Sequence, residues 1–83
     1  MRVAGKTYWE ILRELREDRD IKQYTIAAAL GIDQRVYYRY ENGVNELPLR
    51  HLKALCQYYQ VSADYILGLT NDPQIHPPIE KKR

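Results

Sequence analysis

The side chains best equipped for recognition in this sequence are Gln34, Arg35, Tyr38 and Arg39, which recur at i, i+1, i+4 and i+5. On a helix that spacing puts all four on one face, with Asn42 at its end. Arginine presents a planar fork of N–H donors and glutamine a donor beside an acceptor, so arginine pairs bidentately with guanine and glutamine with adenine in the DNA major groove. Gln23 starts a preceding helix, where a side chain and backbone N–H groups together can hold a phosphate. The plainer alternative for the row is a solvated helix face. Catalysis finds no parts: no nucleophile is paired with a base, no carboxylate pair lies in an apolar setting, and no glycine-rich loop follows a strand. The single cysteine, Cys56, and the histidines, His51 and His76, stand at no metal-ligand spacing. No enzyme, metal, cofactor or small-molecule ligand is expected.

These residues need helices to hold them, and the sequence spaces out five. Thr7-Tyr8-Trp9-Glu10 fits a capping box, and Tyr8, Ile11, Leu12 and Leu15 then form an apolar stripe to about residues 18–20. Glu10, Arg13, Glu14 and Glu17 take the other face, and Arg13 and Arg50 are expected to be solvated. The second helix runs from Gln23 to Leu30 and ends at Gly31, a natural left-handed terminus. Ala27 and Gly31 are the small residues expected to let the second and third helices approach closely. Asp33 is the N-cap of the third helix, Ile32 and Tyr37 form its hydrophobic staple, and Asn42-Gly43 end it. Pro48 suits the first position of a fourth helix, whose apolar face is Leu49, Leu52, Leu55, Cys56 and Tyr59. Ser62 caps a short last helix carrying Tyr65, Ile66 and Leu67. No segment alternates with period two, so no strands are expected.

Eighty-three residues make one domain, small enough to need a compact core or a partner. The division read from the sequence is an arm at 1–6, a helical domain at 7–70 and a basic, proline-rich tail at 71–83. With 45% hydrophobic residues the chain folds, and it has no run of about eighteen apolar residues to span a membrane. The absence of a signal-like start and the lone cysteine point to the cytoplasm. The net charge of +2 is a weak pointer to nucleic acid, because Lys22, Arg35 and Arg39 are balanced locally by Asp20, Asp33 and Glu41.

The run Leu15-Arg16, Gln23, Ile26-Ala27, Leu30-Gly31-Ile32, Tyr37 and Tyr40-Glu41-Asn42-Gly43 resembles the phage repressor and Cro family of helix-turn-helix domains, also called the Xre family. The likeness continues through Leu47-Pro48-Leu49, Leu55, Tyr58-Tyr59, Val61-Ser62 and Asp64-Tyr65-Ile66-Leu67-Gly68. It implies an all-α, lambda-repressor-like five-helix bundle that binds double-stranded DNA as a dimer on pseudo-palindromic operators. By position it assigns base reading to Gln34, Arg35 and Arg39, phosphate anchoring to Gln23, and a phosphate-binding loop to Asn42 and Gly43. It makes Arg16 and Glu41 a structural ion pair and puts a dimer contact at Ala63 and Tyr65. Three positions depart from the pattern. Lys22 replaces the usual serine or threonine N-cap and adds a candidate phosphate contact; Tyr38 replaces a small or polar residue on the reading face; Glu46 sits in a loop that is often basic.

The function expected is a sequence-specific transcriptional regulator, a repressor, acting as a homodimer without an attached effector domain. The competing reading is a protein-interaction module on the same scaffold, antitoxin-like or anti-activator, which the near-neutral charge of residues 20–43 keeps in play. Tyr58, Leu67, Leu69, Ile75 and Ile79 lack an obvious partner inside a five-helix core.

Overall fold

A computed structural model describes residues 5–75; the expectations placed on His76, Ile79 and the basic end of the tail lie outside the described residues. The helices are α1 (Tyr8–Asp18), α2 (Gln23–Leu30), α3 (Gln34–Glu41), α4 (Leu49–Tyr59) and α5 (Ala63–Ile66). No strand occurs among the described residues, so the architecture is the all-α five-helix bundle expected.

Each helix start has a local cause. At α1 the Thr7 hydroxyl accepts from the Glu10 N–H at 3.3 Å while the Glu10 carboxylate accepts from the Thr7 N–H at 2.9 Å. Asp33 caps α3 by accepting from the Arg35 N–H at 2.8 Å, and Ser62 caps α5 through the Tyr65 N–H at 3.0 Å. No side chain caps α2, because Lys22, which holds the cap position, has no acceptor. Pro48 is the cap of α4 rather than its first helical residue.

Ile11, Leu12, Leu15, Ile26, Ala27, Tyr37, Leu55, Tyr59, Val61 and Ile66 are buried together. α2 packs on α3, α1 on α3 and α5, and α4 on α5. Two expectations about this packing are corrected. Leu49 is 80% exposed: it lies about 100° around α4 from the centre of the stripe formed by His51, Leu52, Leu55 and Tyr59. His51 is buried in its stead, 5.9 Å from the Tyr40 ring. Gly31 does not serve close approach, since a Cβ there would meet nothing within 4 Å. Its role is conformational. With φ at +72° it directs its own N–H to the Ala27 and Ala28 carbonyls and the Ile32 N–H to the Ala27 carbonyl, closing α2 and aiming the chain into α3.

The first tail residues lie along the bundle, where the Pro73 carbonyl accepts from the Ser62 N–H at 2.9 Å. Among the described residues no helix is long and apolar enough to cross a membrane, and no cluster of His, Cys, Asp and Glu could hold a metal.

Candidate nucleic-acid interface

The two faces of α3 are unlike. Tyr37, Tyr40 and Glu41 point inward and are buried, whereas Gln34, Arg35, Tyr38 and Arg39 are all exposed and lie along the outer side. Arg35 Nε sits 3.4 Å from Asp33 Oδ1. The Arg35 N–H, and then its guanidinium, hold the Asp33 carboxyl below the usual carboxylate range. The pair is solvated, so it biases the arginine's position and adds little stability.

The roll of α3 about its axis is fixed from inside by Glu41, whose side chain has no exposed surface. Arg16 of α1 meets it bidentately, Nε to Oε2 at 2.7 Å and Nη2 to Oε1 at 3.0 Å. The Tyr37 hydroxyl donates to Oε2 at 2.6 Å, and Gln23 Nε2 donates to Oε1 at 3.1 Å. Arg16 Nη1 reaches on to the Ile21 carbonyl at 2.8 Å. Burial by itself would raise the Glu41 carboxyl, but Arg16, Tyr37 and Gln23 outweigh it and hold the group below its ordinary value. The Tyr37 hydroxyl is pushed up, first by burial and then by its bond to the carboxylate. One carboxylate therefore ties α1, α2 and α3 together. Of the three acidic residues that balance the charge of residues 20–43, Glu41 is removed from the surface by this arrangement. What faces outward on α3 is more positive than the sequence count suggests.

The expected phosphate-binding residues fall into two places. Lys22 and Gln23 stand at the start of α2, Lys22 exposed and Gln23 half-buried with one carboxamide hydrogen committed to Glu41. Asn42 and Gly43 follow α3. Their backbone N–H groups already donate to the Tyr38 carbonyl at 3.1 Å and, more weakly, to the Tyr40 carbonyl at 3.4 Å. That leaves the Asn42 side chain as the better donor toward solvent. Gly43 has φ +71°, and a Cβ there would lie 2.6 Å from Trp9 Cε2, so this loop rests directly on the α1 indole. No side chain larger than hydrogen fits.

Sequence reasoning missed Arg13. It is half-buried, and its Nη2 donates both to the Glu41 carbonyl at 3.2 Å and to Asn42 Oδ1 at 2.9 Å. The available signal was its spacing of three from Arg16 and four from Trp9, which puts all three on adjoining faces of one helix. Tyr24, 62% exposed beside Gln23, adds an aromatic surface to the first turn of α2.

Ala63 and Tyr65 are not brought onto one surface. Ala63 is exposed and lines an apolar groove of about 660 Å³ with Leu49, Leu52, Cys56, Val61 and Ile75. Tyr65 is half-buried against the core and borders a smaller cleft with Lys6, Ile11 and Glu14. Tyr58, Leu67, Leu69 and Ile75 are exposed, as their lack of partners led one to expect.

The comparisons agree with this geometry. The family described as Helix-turn-helix matches residues 12–66, which runs from α1 to the end of α5. The uncharacterized HTH-type transcriptional regulator YobD of Bacillus subtilis (strain 168) is 40% identical over 75 residues, covering 90% of this chain and 65% of that protein. The cryptic phage CTXphi transcriptional repressor RstR of Vibrio cholerae is 32% identical over 50 residues, covering 60% of this chain and 45% of that protein. The chain thus spans less than two thirds of the length of either relative. No solved structure matches it. A match over most of its helices, laid on a third helix with a pinned inner face and an exposed arginine–glutamine row, means that the chain belongs to the helix-turn-helix family of transcriptional regulators, of the phage-repressor and Cro (Xre) type.

Proposed function

We propose that this protein is a sequence-specific repressor that reads a pseudo-palindromic operator as a homodimer, with α3 of each copy in the major groove. The observation that carries the reading is the outer face of α3, where Gln34, Arg35, Tyr38 and Arg39 are all exposed on a helix whose inner face is immobilised through Glu41. Arg35 and Arg39 pair with guanine and Gln34 with adenine, while Tyr38 packs against a thymine methyl or the sugar edge. Lys22, Gln23, Asn42 and Gly43 flank the row and contact phosphates on either side, setting register without reading sequence. One such helix reads too few base pairs for specificity, so two are set about 34 Å apart by a dimer contact. We place that contact at the α5 end, on the exposed Ala63 with the apolar groove beside it and on the half-buried Tyr65 around the helix from it.

The competing reading, a protein-interaction module, draws on the same exposed apolar residues around the α4–α5 groove. Selection of bound duplexes from a random-sequence pool separates the two. Enrichment of an inverted repeat with half-sites one helical turn apart supports the repressor. Failure to enrich any sequence at low salt, where phosphate contacts are strongest, would rule it out.

A further inference from the structure

The Asn42 carboxamide has one nitrogen and one oxygen, and its usefulness to a phosphate depends on which of them faces out. Nδ2 carries two hydrogens; one donates to the Tyr38 carbonyl at 2.8 Å, leaving the other for a ligand. Oδ1, turned outward instead, would present a lone pair to an anion and repel it. Two contacts hold the orientation: the Tyr38 carbonyl, which only accepts, takes the nitrogen, and Arg13 takes the oxygen on the other side. A guanidinium is donor-only, so its contact at 2.9 Å admits only the oxygen of the amide. The same Nη2 donates to the Glu41 carbonyl at 3.2 Å, placing positive charge at the C-terminal end of α3. There the helix's own unsatisfied carbonyls would otherwise oppose a phosphate. Trp9, beneath Gly43, sets the height of the loop, and Arg13, one turn along α1, braces its amide from the oxygen side while the Tyr38 carbonyl holds the nitrogen.

We propose that Arg13 is a positioning residue of the DNA interface: it does not touch the nucleic acid but holds the Asn42 side chain with its free N–H toward a phosphate. This rests on the DNA-binding reading given above. It assigns the first helix a part in binding beyond the ion pair of Arg16.

The test uses the full chain and a fluorescein-labelled mixed-sequence duplex of about 30 base pairs, long enough for two half-sites a helical turn apart. Arg13→Ala is expected to weaken binding about three- to tenfold, the net worth of one hydrogen bond, and Asn42→Ala by a similar factor. The double variant is expected to bind no more weakly than either single one, because Arg13 acts through Asn42. Arg13→Lys is expected to recover affinity to within about twofold, since one nitrogen serves both acceptors here and an ammonium also donates without accepting. Trp9 is the only tryptophan, and its emission in the free Arg13→Ala variant is expected to match the parent, showing the loop still seated on the indole. Losses that multiply in the double variant, or no rescue by lysine, overturn the inference. So does Arg13→Ala binding as the parent does, or a changed Trp9 emission in the free variant. A parent chain that shows no salt-dependent affinity for the duplex overturns the DNA-binding reading itself, and this inference with it.

Discussion

Glu41 accepts four hydrogen bonds on two oxygens, from Arg16, Tyr37 and Gln23, and a buried carboxylate needs that many partners to be tolerated. Removing the anion leaves the half-buried Arg16 guanidinium with only the Ile21 carbonyl at 2.8 Å and a loose 3.9 Å approach to the exposed Glu17. Glu41→Ala is therefore expected to destabilise the fold by about 3 kcal/mol, and Arg16→Ala comparably. The double variant should cost less than the sum, and strict additivity in denaturant unfolding would show that the two residues do not act as a pair. The exposed arginines should behave differently. Arg35→Ala and Arg39→Ala are expected to leave the unfolding midpoint nearly unchanged and to weaken specific DNA binding by about 1–3 kcal/mol each. Non-specific binding should change less. If both variants bound a selected operator as the parent does, the reading face would have to be sought elsewhere than on α3.

Among the elements, α2 lacks a side-chain cap at its start and closes on a left-handed glycine at its end. Lys22 occupies the cap position in an extended conformation, φ −81° and ψ 152°, which serine or threonine adopts readily, yet it offers no acceptor. Lys22→Ser should stabilise the protein by about 0.5–1 kcal/mol by capping the first-turn N–H groups. The same change removes a positive charge next to Gln23, so it should also lower DNA affinity and reduce the salt slope by about one. A gain in thermal midpoint with an unchanged salt slope would show that Lys22 meets no phosphate. At the other end, α3 takes its direction from the left-handed Gly31 and its roll from Glu41, two constraints that share no atoms.

For the molecule as a whole, acid should be destabilising in two windows. His51 is buried against Tyr40 with Nε2 unpartnered, and burial, then the nearby Arg50, lowers its pKa below the ordinary 6.5. A depressed histidine contributes stability that is complete above about pH 6.5 and is lost as pH falls through the folded value. Glu41, also depressed, repeats this below about pH 4.3. The unfolding midpoint should fall between about pH 7.5 and 5, and His51→Leu should remove most of that fall. It should also raise stability at neutral pH, because an orphan polar atom leaves the core. A midpoint that is flat across this range in the parent would show that His51 is not held neutral. Assembly belongs to this scale too. Sedimentation with a duplex carrying two half-sites should give two chains per duplex, and Tyr65→Asp should abolish cooperative binding while the helical content persists. One chain per duplex at saturation would exclude the dimer.

By itself the sequence determined the elements. Thr7 with Glu10, Asp33, Gly31 and Ser62 act on neighbours within four residues, so their caps and turns could be read before any packing was known. The outward row Gln34, Arg35, Tyr38 and Arg39 was legible for the same reason, since helical period alone sets which residues share a face. The pairing of Arg16 with Glu41 was implied by family likeness, not by spacing. Tertiary structure alone decided which side chains the helices bring to each other. Leu49 and His51 exchange the places that their hydrophobicity predicts, because burial follows the angle at which α4 meets the bundle. Arg13 reads as one more charge on a solvated face until α3 ends beside it. Gly43 looks like an ordinary helix terminator until the Trp9 ring fills the space a side chain would need. Each of these joins residues 28 or more positions apart, or depends on a crossing angle, and neither composition nor periodicity carries that information.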